Sequence, residues 1–126
     1  MARVLIVEPH PDVRDSFAAV CETWGHEVAA IADGRDTLAL LRGFKPDVVL
    51  LDLGSPGGLD GAAVAERIRD AEGDRVFIVA LTAWAPPHER AKALQAGANA
   101  FFLKPPDLKH LRKTIERASD RLTKQG

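Results

Sequence analysis

Apolar runs of four to six residues alternate along the chain with longer segments in which apolar positions recur every three or four residues. Alternation between these two periods is the mark of a βαβ series. The runs predict strands over Val4–Val7, Glu27–Ile31, Val48–Leu51, Val76–Leu81 and Ala100–Leu103. Four of them are nearly continuous in apolar residues, as a parallel sheet covered on both faces requires. The second is amphipathic, which places it at an edge.

The intervening segments predict five helices. Val13, Phe17, Val20 or Cys21, and Trp24 form one face of a helix that Gly25 ends. Leu38 and Leu41 mark a short second helix after Asp33-Gly34, and Val64 and Ile68 mark a third. Ala91 and Leu94 mark a fourth, entered through Pro86-Pro87. Asp107 is the predicted N-cap of the fifth, whose stripe is Leu108, Leu111, Ile115, Ala118 and Leu122. The reading is an α/β doubly wound five-stranded parallel sheet in a single domain over residues 1–126. Periodicity leaves the strand order open, but the common doubly wound orders all place ligands at the carboxyl ends of the strands.

Chemistry is therefore sought just past the strands, where the chain carries Glu8, Asp52, Thr82 and Lys104. Two carboxylates at neighbouring strand ends can hold a hard divalent cation through oxygen. A hydroxyl and an ammonium can grip phosphoryl oxygens, lysine acting as a point charge. Lys104 leaves the sheet between Phe101-Phe102-Leu103 and Pro105-Pro106, and the Lys104–Pro105 peptide is a candidate cis bond. The set suits a phosphoryl group on an oxygen nucleophile.

Composition narrows the classes. With 126 residues, 46% hydrophobic and 28% charged, the chain suits one globular domain. Its one cysteine, Cys21, rules out an internal disulfide framework and is read as core. No apolar stretch reaches the ~20 residues of a membrane span, and the start is too short and strand-like for a signal peptide. A soluble cytoplasmic protein is expected. The net charge of −1 gives no reason to expect direct nucleic-acid binding. Charge is nonetheless uneven: residues from Lys104 onward carry seven Lys/Arg against three acids. That segment is either a solvated helix or a basic docking face for an acidic partner.

The chain resembles the receiver domain of two-component response regulators over essentially its whole length. The matching pieces are Val-Leu-Ile-Val-Glu at the first strand, Pro11-Asp12-Val13-Arg14, and Val-Val-Leu-Leu-Asp-Leu at the third strand. Leu59-Asp60-Gly61, Ile78 through Ala83, Ala96-Gly97-Ala98 and Phe102-Leu103-Lys104-Pro105 complete them. The resemblance implies a flavodoxin-like sheet of order 2-1-3-4-5. It implies phosphoryl transfer from a sensor histidine kinase or phosphotransfer protein to Asp52, with Thr82 and Lys104 gripping the phosphoryl group. Glu8, Asp52 and the backbone carbonyl of Gly54 would hold Mg²⁺. Thr82 and Phe101 would relay the change to a face built from the fourth helix, fifth strand and fifth helix, and so to a downstream protein. Self-catalysed phosphorylation and dephosphorylation would be its only catalysis, and it would act as a monomer or a phosphorylation-dependent dimer. It would be either free-standing or a segment of a longer protein.

Four features depart from the family pattern or remain open. Pro9 stands where the family usually has a second acid, and proline offers no side-chain ligand; His10, next in line, is a poor ligand for Mg²⁺. Weaker Mg²⁺ binding follows, and with it an alternative: an atypical receiver that binds partners without phosphorylation. Ser55 through Gly61 is one residue longer than usual and holds adjacent glycines. Trp84 either shields an acyl phosphate from water or contacts a partner or the fourth helix. His26, His88 and His110 are read as surface residues. A flavodoxin-type carrier would need a Ser/Thr-rich loop after the first strand, and a cobalamin domain a histidine signature; Glu8-Pro-His-Pro-Asp12 is neither.

Overall fold

The computed structural model describes residues 1–54, 60–83 and 86–125. Five strands form one parallel sheet: β1 (Arg3–Val7), β2 (Glu27–Ile31), β3 (Val48–Asp52), β4 (Phe77–Thr82) and β5 (Ala100–Leu103). Their order is β2-β1-β3-β4-β5, so the winding reverses between β1 and β3. Five α-helices connect and follow them: α1 (Pro11–Thr23), α2 (Thr37–Gly43), α3 (Gly61–Glu72), α4 (Pro87–Gln95) and α5 (Leu108–Gln125). A short 3₁₀ turn, Gly34–Asp36, leads into α2. This is the expected doubly wound sheet, and the amphipathic β2 lies at its edge.

Alternate residues of each buried strand serve opposite faces. Leu5, Val7, Val49, Leu51, Ile78 and Ala80 pack with α2, α3 and α4 through Leu41, Val64, Ala65, Ile68 and Ala93. Val4, Ile6, Val48, Leu50, Val79 and Leu81 pack on the other face with α1 and α5 through Phe17, Cys21, Leu111, Ile115 and Ala118. Both faces are covered, which is why these strands read as unbroken apolar runs. Burial pushes the Cys21 thiol up to about 12, helped by the charge of Glu22, so it stays neutral core.

Local signals set the helix ends. Pro11 and Pro87 open α1 and α4, where a missing N–H costs nothing. Asp60 accepts from the amides of Ala62 and Ala63 and caps α3. Asp107 accepts from His110 at 3.2 Å and caps α5 as expected. Gly25 takes φ +92° at the α1 exit.

Several expectations are corrected. Strand β3 runs on to include Asp52, and β4 is displaced by one residue to end on Thr82, because the ladder continues through both. On α4 the buried positions are Ala93 and, just beyond, Ala96, whereas Ala91 is exposed and Leu94 is 43% exposed. Small side chains there let α4 lie close to the core. Leu38 and Leu108 are likewise exposed. His26 is buried, its Nδ1 accepting from the amide of Ala2 at 3.0 Å; His88 and His110 are exposed as read. Trp84, Ser55 through Leu59, and the side chain of Leu122 lie outside the described residues.

Candidate functional site

Register brings the site together. Val7 pairs with Leu51 across β1 and β3, so Glu8 follows its strand beside Asp52. Asp52 is level with Leu81 on β4, and Thr82 with Leu103 on β5. Four polar side chains thus lie at the carboxyl edge, around the point where the strand order reverses.

Lys104 is the centre of the cluster. Its amide donates to the Thr82 carbonyl at 2.8 Å, which continues the ladder one step past β5. Its ammonium donates to Asp52 Oδ1 at 2.7 Å and also to Glu8 Oε1. The next peptide, Lys104–Pro105, is cis. The second oxygen of each carboxylate is held by main chain. Gly54 N–H donates to Asp52 Oδ2 at 2.9 Å, and His10 N–H to Glu8 Oε2 at 3.3 Å. The first is an Asx turn, for which Gly54 takes φ +83°. Arg14 donates to the Glu8 carbonyl at 3.0 Å and ties α1 to the end of β1.

The side chains of Glu8, Asp52 and Lys104 are 2%, 11% and 14% exposed. Burial by itself lowers the Lys104 pKa, but hydrogen bonds and charge from Asp52 and Glu8 outweigh it, and the net direction is upward. The lysine is firmly charged. It separates two carboxylates that would otherwise repel. Asp52 keeps a path to solvent at the rim.

Thr82 is buried on β4, in the strand between those of Asp52 and Lys104. Phe101 pairs with Ala80, is half-buried, and has the Arg90 guanidinium 5.8 Å over its ring. Of the residues singled out in the sequence, Glu8, Asp52 and Lys104 touch directly. Phe101 lies on β5 level with Ala80, two positions before the Thr82–Leu103 pair.

The donor set suits one kind of ion. Among the described residues no three Asp, Glu, His or Cys side chains converge in a metal-binding group, and Pro9 adds no donor. Two carboxylates with nearby main-chain oxygen fit a hard cation that keeps much of its water. They do not fit a metal that wants several nitrogen or sulfur ligands. Two contributors escaped the sequence reading: the amide of His10 and the guanidinium of Arg14, both aimed at Glu8. Gly54 carried a usable signal, since Asp-x-Gly favours an Asx turn.

Comparison with known proteins agrees with the fold. The model of the response regulator receiver domain matches residues 4–116. Protein PilH of Pseudomonas aeruginosa is 35% identical over 91% of this chain and 95% of its own length. The transcriptional regulatory protein AfsQ1 of Streptomyces coelicolor is 35% identical over 83% of this chain, a match that spans only 45% of that longer regulator. A CheY-like receiver domain protein from Methanospirillum hungatei superimposes with a TM-score of 0.89 at 25% identity, covering 100% of this chain and 99% of the other. No described helix is long and apolar enough to cross a membrane. Sheet order, edge cluster and family match together place the chain among the receiver domains of two-component response regulators.

Proposed function

We propose that this receiver accepts a phosphoryl group on Asp52 from a phosphohistidine of a sensor histidine kinase or phosphotransfer protein. The observation that supports this most is the Lys104 ammonium bonded to both Asp52 and Glu8. It makes a compact positive point beside an acceptor oxygen at the rim.

In the transfer, an Asp52 oxygen attacks phosphorus while the P–N bond to imidazole breaks. The bonding pair returns to the imidazole nitrogen, and an acyl phosphate forms. Gly54 N–H orients the carboxylate before the reaction. Lys104 then turns from the carboxylate to the phosphoryl oxygens, and the Thr82 hydroxyl donates to another. Catalysis of this kind is mainly positioning and charge stabilisation. Glu8, Asp52 and the Gly54 carbonyl are the groups that would hold Mg²⁺. When bound, the ion neutralises charge between carboxylate and phosphoryl group. Return to the ground state is hydrolysis: water attacks phosphorus, the O–P bond breaks, and carboxylate and inorganic phosphate remain. Movement of Thr82 and Phe101 carries the change to α4, β5 and α5, which meet a downstream protein in the cytoplasm.

Pro9 favours a second reading, a receiver that binds its partner without phosphorylation. It removes a potential anionic ligand, which leaves Glu8 and Asp52 as the carboxylates at this edge, both bonded to Lys104. Incubation with a small phosphodonor, with and without Mg²⁺, separates the two. Intact mass should show one phosphate added in Mg²⁺, absent in Asp52→Ala and much reduced in Lys104→Ala. Unlabelled but folded protein would favour the second reading.

A further inference from the structure

All the polar groups of Glu8 are engaged. Its N–H donates to the Ile31 carbonyl at 3.0 Å, while Lys104 and the His10 amide each donate to one carboxylate oxygen. Its carbonyl receives the Arg14 guanidinium at 3.0 Å. In a parallel ladder the N–H and C=O of one residue face the same neighbour, so a longer β2 would have bonded that carbonyl. Strand β2 stops at Ile31, and Arg14 takes its place.

Arg14 also closes the turn from the other end. Its own N–H donates to the His10 carbonyl at 2.9 Å, so one residue of α1 holds both ends of Glu8-Pro9-His10. Ordinary electrostatics gives no reason for a cation there. A positive charge in the opening turn of a helix opposes the helix dipole. Arg14 forms no ion pair among the described residues. The Glu8 carbonyl is what it serves.

We propose that Arg14 is a positioning residue for the cation site, aiming the Glu8 carboxylate through the main chain that carries it. Pro9 brings no ligand, so Glu8 is the one acid at the end of β1. A glutamate has one more rotatable bond to fix than an aspartate. Arg14 holds the Glu8 backbone and the turn whose His10 amide binds Oε2, so the carboxylate is oriented beforehand. The inference rests on the reading of Asp52 as phosphoryl acceptor only for the purpose of the ion.

Mg²⁺ titration of the full chain, followed by the amide shifts of Gly54 and His10, tests this without phosphodonor. Arg14→Met keeps the stem and loses the donors. It should raise the half-saturating Mg²⁺ concentration about tenfold, the lower end of the cost of losing an outer partner of a metal ligand. Arg14→Lys should return most of the affinity, since one carbonyl needs one donor. In labelling of Asp52, Arg14→Met should raise the Mg²⁺ requirement and leave the rate at saturating Mg²⁺ unchanged. Should Arg14→Met fail to fold, Arg14→Gln, with its shorter reach, takes the same test. The proposal falls if the variant melts earlier but keeps the parent's half-saturation, or if the parent's Gly54 and His10 amides ignore Mg²⁺. A parent that binds Mg²⁺ in this Arg14-dependent way yet takes no phosphate would sink the acceptor reading and uphold the role of Arg14.

Discussion

His26 receives the Ala2 amide on Nδ1, and its Nε2 is buried with no partner among the described residues. An accepting Nδ1 requires the neutral ring with its proton on Nε2. Burial lowers the His26 pKa first, and the positive N-terminus and Arg112 lower it further, against the opposing charge of Glu116. A folded-state pKa below the unfolded value means that folding favours the neutral form. Its contribution is therefore complete above the unfolded value of about 6.5 and is lost as pH falls below it. Urea unfolding should give a midpoint that is steady near neutrality and declines in mild acid. His26→Asn should flatten that slope, because an amide oxygen can accept from Ala2 without titrating. An unchanged slope would refute this account. Polarity alone made His26 look like a surface residue; that the chain start supplies its donor appears only in three dimensions. Glu8, Asp52, Thr82 and Lys104 were legible because each ends an apolar run, whereas backbone donors such as His10 N–H have no residue-type signature.

Among the elements, α3 is placed by a glycine. A Cβ at Gly61 would lie 2.6 Å from Leu53 Cα and 2.8 Å from the Asp52 carbonyl oxygen. The start of α3 thus rests directly on the backbone that leaves β3 with the acceptor. Both neighbours are main chain and cannot swing aside. Gly61→Ala should cost about 1–3 kcal/mol, the range for forced overpacking, measured by urea unfolding, and should slow phosphodonor labelling of Asp52. A variant with wild-type stability would show that this contact relaxes freely. Arg69 plays a joining role elsewhere on α3. Its guanidinium donates to the carbonyls of Gly73, Val76 and Gly97 and to the Asn99 side chain, closing the α3 exit onto the turn before β5. Strand positions were readable because fully covered strands leave an unbroken apolar signal. Helix faces were less so. Alanine contributes little to periodicity, yet Ala93 and Ala96 bury α4 while the more conspicuous Leu94 faces out.

At the scale of the whole molecule, Glu8, Asp52 and Lys104 join three strands that are not all neighbours. Strands β1 and β3 pair directly, but β4 lies between β3 and β5. The lysine reaches back across β4, so one ammonium clasps β1, β3 and β5 at the edge where the sheet lacks helix cover. That clasp also holds a buried carboxylate and a largely buried one together, and removing its positive member leaves them adjacent without the intervening charge. Lys104→Met keeps the aliphatic stem while deleting the charge. It should lower stability at neutral pH by roughly 3–5 kcal/mol, read as a shift of the urea midpoint. Added Mg²⁺ should recover part of the loss, since a cation between Glu8 and Asp52 would replace the missing charge. The matched variant Glu8→Gln with Lys104→Met, which removes one charge of each sign, should lose less than Lys104→Met alone. If the single variant is as stable as the parent, or if the double is no better than the single, the lysine serves phosphate alone and the edge of the sheet needs no clasp.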